Sequence, residues 1–354
     1  MTTRELFNNI MHYGEFDRMP VFHWGGWAET RERWISEGMP ADVNEHEYFN
    51  ADPLGHWVVS DPGLFPSFEE EILEETDEYK IYRNSDGVVC KEWKHKSSIP
   101  QYTDYLLKDR QDWPEFKKRL QPDPARIPAD LDERIEKAEK SGQILIVGAG
   151  SMIGWIRNWM GVENLAYICY DDRDLLAEMV DTIADLVCWQ FDMILPKVKA
   201  DIGWGWEDIC FRTGPLVSPQ VFKECAVPGY KKISSKLREY GVDLYAVDCD
   251  GMIDDLVPLW LEGGVNVMFP VEIGVWNADP MKFRCQYGKE LRVFGAINKL
   301  EIAKGAAAID AEIERRVPLM KQGGYVPLPD HLVVPETSLA NYKYYLDRIR
   351  SLRF

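Results

Sequence analysis

The chain has 354 residues, with 41 Lys and Arg against 59 Asp and Glu, for a formal net charge of −18 at pH 7. A protein that tracks nucleic-acid phosphates needs a basic face, and none of the basic runs here (residues 91–96, 117–119 and 231–238) is free of nearby acids, so nucleic acid is not expected as a partner. No apolar run reaches membrane-spanning length, residues 1–18 are polar and helical in pattern, and seven scattered cysteines show no CxxC spacing, so the expectation is a cytoplasmic chain with reduced thiols, off the membrane.

In chain order, Met19-Pro-Val-Phe-His-Trp24 reads as a first strand ahead of Gly25-Gly26. Residues 61–100 are irregular. Within them, residues 80–83 and 88–93 read as a hairpin about Ser85-Asp86-Gly87, an excursion from one domain of residues 1–354. From residue 143 the pattern becomes regular. Strands are expected at 143–147, 201–206, 242–247, 265–269, 291–294 and 325–328. Helices are expected at 151–198, 219–240 after the N-cap Ser218, 253–262, 280–287, 302–322 and 339–352. Six strand-then-helix units specify a parallel sheet with helical crossovers, and a (β/α)8 TIM barrel follows if the N-terminal half supplies two more strands. An open doubly wound sheet is disfavoured, because Gly148-Ala-Gly150-Ser-Met-Ile lacks the third glycine of a dinucleotide fingerprint; NAD is not expected.

In a barrel the chemistry sits at the C-terminal strand ends. Those ends read His23-Trp24, Gly148 with Ser151, Glu207-Asp208, Asp248-Cys249-Asp250-Gly251, Glu272, Asn298-Lys299 and Asp330-His331. Loops at these positions are often polar simply because they cap helices, and Asp254-Asp255 read as residues that cap the following helix or complement its dipole. Glu69-Glu70-Glu71 reads as a solvated face. Carboxylates converging on one cavity repel, and the repulsion is relieved by protonating one of them or by holding a cation. The candidate catalytic residues are therefore Glu207, Asp250 and His331. Asp248, Asp250, Glu272 and His331 form a candidate divalent-metal set, zinc among the options. His23, Trp24, Trp27, Ser151, Trp155, Trp206, Asp208 and Asn298 are candidate substrate contacts. The 13 Trp, 16 Tyr and 14 Phe supply walls for an apolar ligand, with Trp204 and Trp276 also near strand ends.

The stretches Gly161-Val-Glu-Asn-Leu, Glu207-Asp-Ile-Cys, Gly214-Pro-Leu-Val-Ser-Pro, Asp248-Cys-Asp-Gly, Pro258-Leu-Trp-Leu-Glu-Gly-Gly-Val, Tyr287-Gly-Lys, Gly295-Ala-Ile-Asn-Lys, Gly323-Gly-Tyr-Val-Pro and Asp330-His-Leu-Val, in this order, resemble the uroporphyrinogen decarboxylase-like superfamily, which includes cobalamin-dependent methyltransferases. The resemblance covers residues 145–350, and Pro20-Val-Phe-His fits its start. It implies a (β/α)8 barrel. True decarboxylases of the family carry an Arg-rich segment after the first strand, where this chain has Trp24-Gly-Gly-Trp-Ala-Glu29. An acidic mouth also opposes a substrate with eight carboxylates. Thiol methyltransferases of the family carry a zinc-binding His-x-Cys pair where this chain has Asp248-Cys249-Asp250, so hard oxygen donors replace soft ones and thiol activation is not expected. What the resemblance then implies is demethylation of a small methoxylated or methylated compound, with the methyl passed to a corrinoid on a partner protein. Two alternatives stay open: a metal-dependent decarboxylase or lyase for a small acid, and a non-catalytic ligand-binding barrel. A homodimer is compatible with the sequence.

Overall fold

The computed structural model describes residues 1–58, 62–95, 99–274 and 276–354. Seven parallel strands make one sheet in the order β1-β6-β7-β10-β11-β12-β13. They are β1 (His56–Trp57), β6 (Leu145–Gly148), β7 (Ile202–Trp206), β10 (Tyr245–Asp248), β11 (Val267–Phe269), β12 (Arg292–Ile297) and β13 (Tyr325–Pro329). A separate antiparallel sheet holds β2 (Glu71–Glu75), β3 (Tyr79–Arg83), β4 (Val88–Trp93) and β5 (Gln101–Tyr105), and a two-stranded ribbon holds β8 (Cys210–Phe211) and β9 (Gly214–Pro215). β6, β11 and β13 are buried along their whole length, as strands of a parallel sheet with both faces covered must be. Among the described residues, no helix is long and apolar enough to cross a membrane. All seven cysteines are free, and six are buried.

The six strands expected from residue 143 onward are present, each shifted by no more than a few residues. Residues 19–24 are not a strand. Phe22 makes one parallel bridge to Asp52, and Gly26 makes one to Val333 beyond β13. Pro20 has no N–H to donate and Gly25-Gly26 ends the extended run, so no ladder propagates. The segment is held instead by Val21, whose N–H donates to the Asp52 carboxylate at 2.9 Å and whose carbonyl accepts from Asp52 N–H at 2.8 Å. Residues 21–27 thus bridge to Asp52, ahead of β1, and to Val333, beyond β13. β1 was hidden in the sequence, because two residues behind Pro53 and Gly55 read as a turn.

The hairpin about Ser85-Asp86-Gly87 is β3 and β4, with β2 and β5 added outside it. Asp61 and residues 96–98, inside the expected excursion, lie outside the described residues, as does the end of the basic run at Lys96. The helix expected over 151–198 is broken twice: Gly154–Asp171 is kinked at Gly161, which sits at φ +79°, and Arg173–Ile194 follows as a separate helix. Asp172 divides them, and its carboxylate caps Leu175 N–H at 3.1 Å. Ser218 caps its helix as expected, accepting from Val221 N–H at 3.3 Å. Asp254 and Asp255 do not cap. The helix begins at Val257 without a side-chain cap, and Asp254 faces Lys282 at 3.7 Å.

Gly295 in β12 has φ +124°, and a Cβ there would lie 2.0 Å from the Pro270 carbonyl oxygen. That oxygen accepts from Ala296 N–H at 2.9 Å and cannot withdraw freely. Gly295→Ala is expected to cost about 3 kcal/mol, combining left-handed strain with a backbone clash. A thermal midpoint within 1 °C of the parent would contradict this.

Candidate active site

β7 explains most of the mouth. In Ile-Gly-Trp-Gly-Trp, side chains alternate between the two faces, so Trp204 and Trp206 share one face. The glycines share the other, where a Cβ on Gly203 would meet Leu237 Cδ1 at 2.6 Å. β7, β10 and β11 then run in register, setting Trp206, Asp248 and Phe269 side by side at the C-terminal ends. A cavity of about 190 Å³ opens there, lined by Trp24, Leu54, Trp57, Trp204, Phe269, Phe294 and Asp248 among others. A neighbouring cavity of about 270 Å³ shares Trp57 and Trp204 and adds Trp155 and Trp206. Trp24 packs edge-on to Phe269 at 4.8 Å, and Trp204 packs edge-on to the same ring at 5.0 Å.

Three carboxylates meet at this mouth. Oxygens of Asp208, Asp248 and Asp250 lie within 4.8 Å of one another. Asp208 is held by its backbone at φ +47° and accepts Asp250 N–H at 3.1 Å. The Arg157 guanidinium donates to the Asp208 carbonyl and lies over the Trp206 ring at 5.4 Å. Burial raises the Asp208 carboxyl above the usual range, with the Asp250 charge adding to it. Burial raises Asp248 further, with Asp208 and Asp250 both contributing repulsion. The Asp248 carboxylate has no hydrogen-bond partner among the described residues. Asp250 pairs with His331 Nε2 at 3.3 Å. His331 in turn stacks on Trp27 (5.6 Å, 18° between planes) and lies 5.6 Å from Trp24. Of the expected set, therefore, Trp24, Trp27, Trp155, Trp206, Asp208, Asp248, Asp250 and His331 come together.

The other expected residues do not join them. Glu207 is buried, and its carboxylate accepts Met152 N–H (2.6 Å), Ile153 N–H (2.9 Å), Gly154 N–H (2.7 Å), the Ser151 hydroxyl (3.3 Å) and the Tyr230 hydroxyl. It anchors the N-terminus of helix Gly154–Asp171, where bare N–H groups attract an anion. Burial still raises its pKa, with these hydrogen bonds opposing. Ser151 is spent between Glu207 and the N–H of Trp155, at 2.9 Å. Glu272 is neutralised by Lys299 Nζ at 3.1 Å, both side chains being buried, and it also accepts Gly251 N–H at 3.0 Å and the Trp276 indole N–H. It does not join Asp248, Asp250 and His331 in a metal shell. Asn298 caps Leu300 N–H at 2.9 Å. Asp330 is fully buried and ties the loop after β11 to the start of helix Lys299–Ala303, accepting Ile273, Gly274 and Lys299 N–H groups at 2.7, 3.0 and 2.9 Å.

His23 is also absent from the mouth. Phe22 and Trp24 point inward, Phe22 to Phe294 at 5.6 Å, so the residue between them points outward. His23 Nδ1 meets the Tyr342 hydroxyl at 2.8 Å and Nε2 meets Glu45 at 2.9 Å. Cys249 likewise turns away from the acids flanking it. Its buried thiol contacts Cys210 and lies well above the usual thiol range, so it offers no soft ligand at the mouth. The sequence reading missed Trp57 and Arg157 and named Lys299 only as a strand-end residue, without a role. Only Lys299, an ionisable residue at a strand end, gave any signal.

A family model described as uroporphyrinogen decarboxylase (URO-D) matches residues 90–352. No curated protein matches the chain in sequence. Among solved structures, a methyltransferase from Methanosarcina mazei is similar over 99% of this chain and 98% of its own, with a TM-score of 0.60 and 15% identity, a likeness of fold. The family match spans well over half of the chain and contains the residues that build the acidic mouth. The chain belongs to the uroporphyrinogen decarboxylase (URO-D) family.

Proposed function

We propose that the chain is a methyltransferase component that takes a methyl group from a small methoxylated or methylated compound and passes it to a corrinoid carried by a partner protein. The barrel would be a (β/α)8 type, with residues 21–27 in the place of the eighth strand, and the setting cytoplasmic. The observation that carries the reading is the mouth itself: an aromatic cavity lined by the Asp248 carboxylate, which among the described residues has no hydrogen-bond partner and no basic side chain beside it in the lining. The fold likeness to a protein named as a methyltransferase supports it. Trp27 and Trp57, 40% and 45% exposed beside the mouth, fit a rim against which a flat partner-borne group can rest.

A reduced corrinoid, when bound, supplies a nucleophile for the methyl carbon. The chain's own residues do the rest. Trp24, Trp204 and Phe269 hold the methyl-bearing end and exclude water. Asp250 and His331, in contact at 3.3 Å, hold the proton that a departing phenolate or alkoxide takes up. Glu207, Glu272 and Asp330 brace the loops that carry these groups.

The spacing of Asp208, Asp248 and Asp250 favours a second reading, a metal-dependent decarboxylase or lyase in which those three carboxylates hold a divalent ion. Their oxygens suit a hard cation better than a zinc–thiolate site. A panel of methoxylated aromatics and methylamines, offered with and without a reduced corrinoid acceptor, separates the readings. Acceptor-dependent demethylation is expected, and uroporphyrinogen should stay intact. Coproporphyrinogen formed at an enzymatic rate would overturn the proposal. A bound ligand without turnover of any donor would favour a binding barrel.

A further inference from the structure

We propose that the cavity beneath Asp248 recognises a methylated ammonium cation, so that the methyl donor is an onium compound rather than a neutral methyl ether. The inference deepens the methyl-transfer reading and rests on it only for the fate of the methyl group. Four features of the site point to a cation.

Trp24, Trp57, Trp204, Phe269 and Phe294 line the cavity, and aromatic faces attract quaternary ammonium groups through the ring quadrupole. Asp248 is the ionisable side chain of the lining and has no hydrogen-bond partner among the described residues. A neutral ligand closing over it would desolvate a carboxyl without pairing it, which opposes binding, whereas an onium would pair it. Asp208 and Asp250 stand close by, so an anionic donor would add a further negative charge to a crowded acidic cluster, whereas a cation relieves that repulsion. Next door, Trp206 already holds a cation of this chain on its face, the Arg157 guanidinium at 5.4 Å. The volume of about 190 Å³ is below the usual drug-sized pocket and suits a small head group.

The chemistry is consistent with such a donor. The C–N bond breaks with its electron pair retained by nitrogen, the amine leaves neutral, and the methyl passes as a cation equivalent to the reduced corrinoid acceptor named above. A quaternary donor needs no proton for its leaving group, so Asp250 and His331 would not have to supply one.

Titration calorimetry on the full chain, treated with chelator, tests this with choline and its uncharged carbon isostere 3,3-dimethylbutan-1-ol as probes. Choline is expected to bind at least tenfold tighter. Asp248→Asn should weaken choline at least tenfold and leave the isostere within about twofold, and Trp204→Leu should weaken choline as well. The wild-type comparison of the two probes needs no variant, so a variant that fails to fold leaves the test intact. Equal binding of the two probes overturns the inference, as does Mg²⁺ binding to a protein that takes up no choline. Choline binding without methyl transfer would leave this inference standing and defeat the methyltransferase reading. Turnover of methoxyarenes uninhibited by choline would do the reverse.

Discussion

Replacing Glu207 with alanine is expected to destabilise the fold by about 4 kcal/mol, more than most single substitutions. The variant strands three backbone N–H groups, of Met152, Ile153 and Gly154, together with the Tyr230 hydroxyl, all in a fully buried setting. Each orphaned donor costs about 1–3 kcal/mol, and local rearrangement recovers part of the total. The loss should appear as a fall in thermal midpoint of about 5 °C. Glu207→Gln keeps the shape but turns an NH2 toward these donors, and it should fall between the two. A shift of less than 2 °C for the alanine variant would mean that Glu207 is free to face the mouth, and its expected role as a catalytic acid would return.

The second large effect concerns Asp248. Its native pKa is raised by burial and by its two acidic neighbours, so the folded state binds a proton that the unfolded state releases above about pH 4. The resulting stability is fully present below that unfolded value and is lost as pH climbs through the raised native value. Asp248→Asn removes this titration. The variant should gain stability over the parent at pH 8 and gain little at pH 5, in the metal-free protein. Methyl transfer should meanwhile fall at least a hundredfold, about 2.7 kcal/mol of transition-state stabilisation. Thermal melts at both pH values, with and without chelator, check the stability arm. If the three carboxylates hold a divalent ion instead, the variant would be less stable than the metal-loaded parent at pH 8, and chelator would reverse the difference.

How much of this was legible in the sequence depends on side-chain parity. The repeating strand–helix pattern from residue 143 onward was readable because each strand is a short apolar run closed by turn residues. The acids at the ends of β7 and β10 were readable as a group, but not which of them face the cavity. Glu207 follows Trp206 and so turns to the helix side, while Asp208, at φ +47°, returns to the mouth. That backbone kink leaves no mark in an Asp-Ile-Cys sequence. The alternation that sends Phe22 and Trp24 inward would have sent His23 outward, had it been applied to residues 19–24. Glu272 and Lys299 are 27 residues apart, and only the adjacency of β11 and β12 brings them to 3.1 Å. Trp57 was out of reach because β1 has two residues and sits behind a proline and a glycine.

If the acidic, aromatic mouth passes a methyl group to a corrinoid, as proposed, a labelled methyl must arrive on the corrinoid. The most direct measurement is a single turnover with a ¹³C-methyl donor and stoichiometric reduced corrinoid, following the label and the demethylated product together. The account predicts one labelled methyl on the corrinoid for each molecule of demethylated product, and neither without the protein. Demethylated product with no label on the corrinoid, or carbon dioxide released from a carboxylated donor in its place, would contradict it.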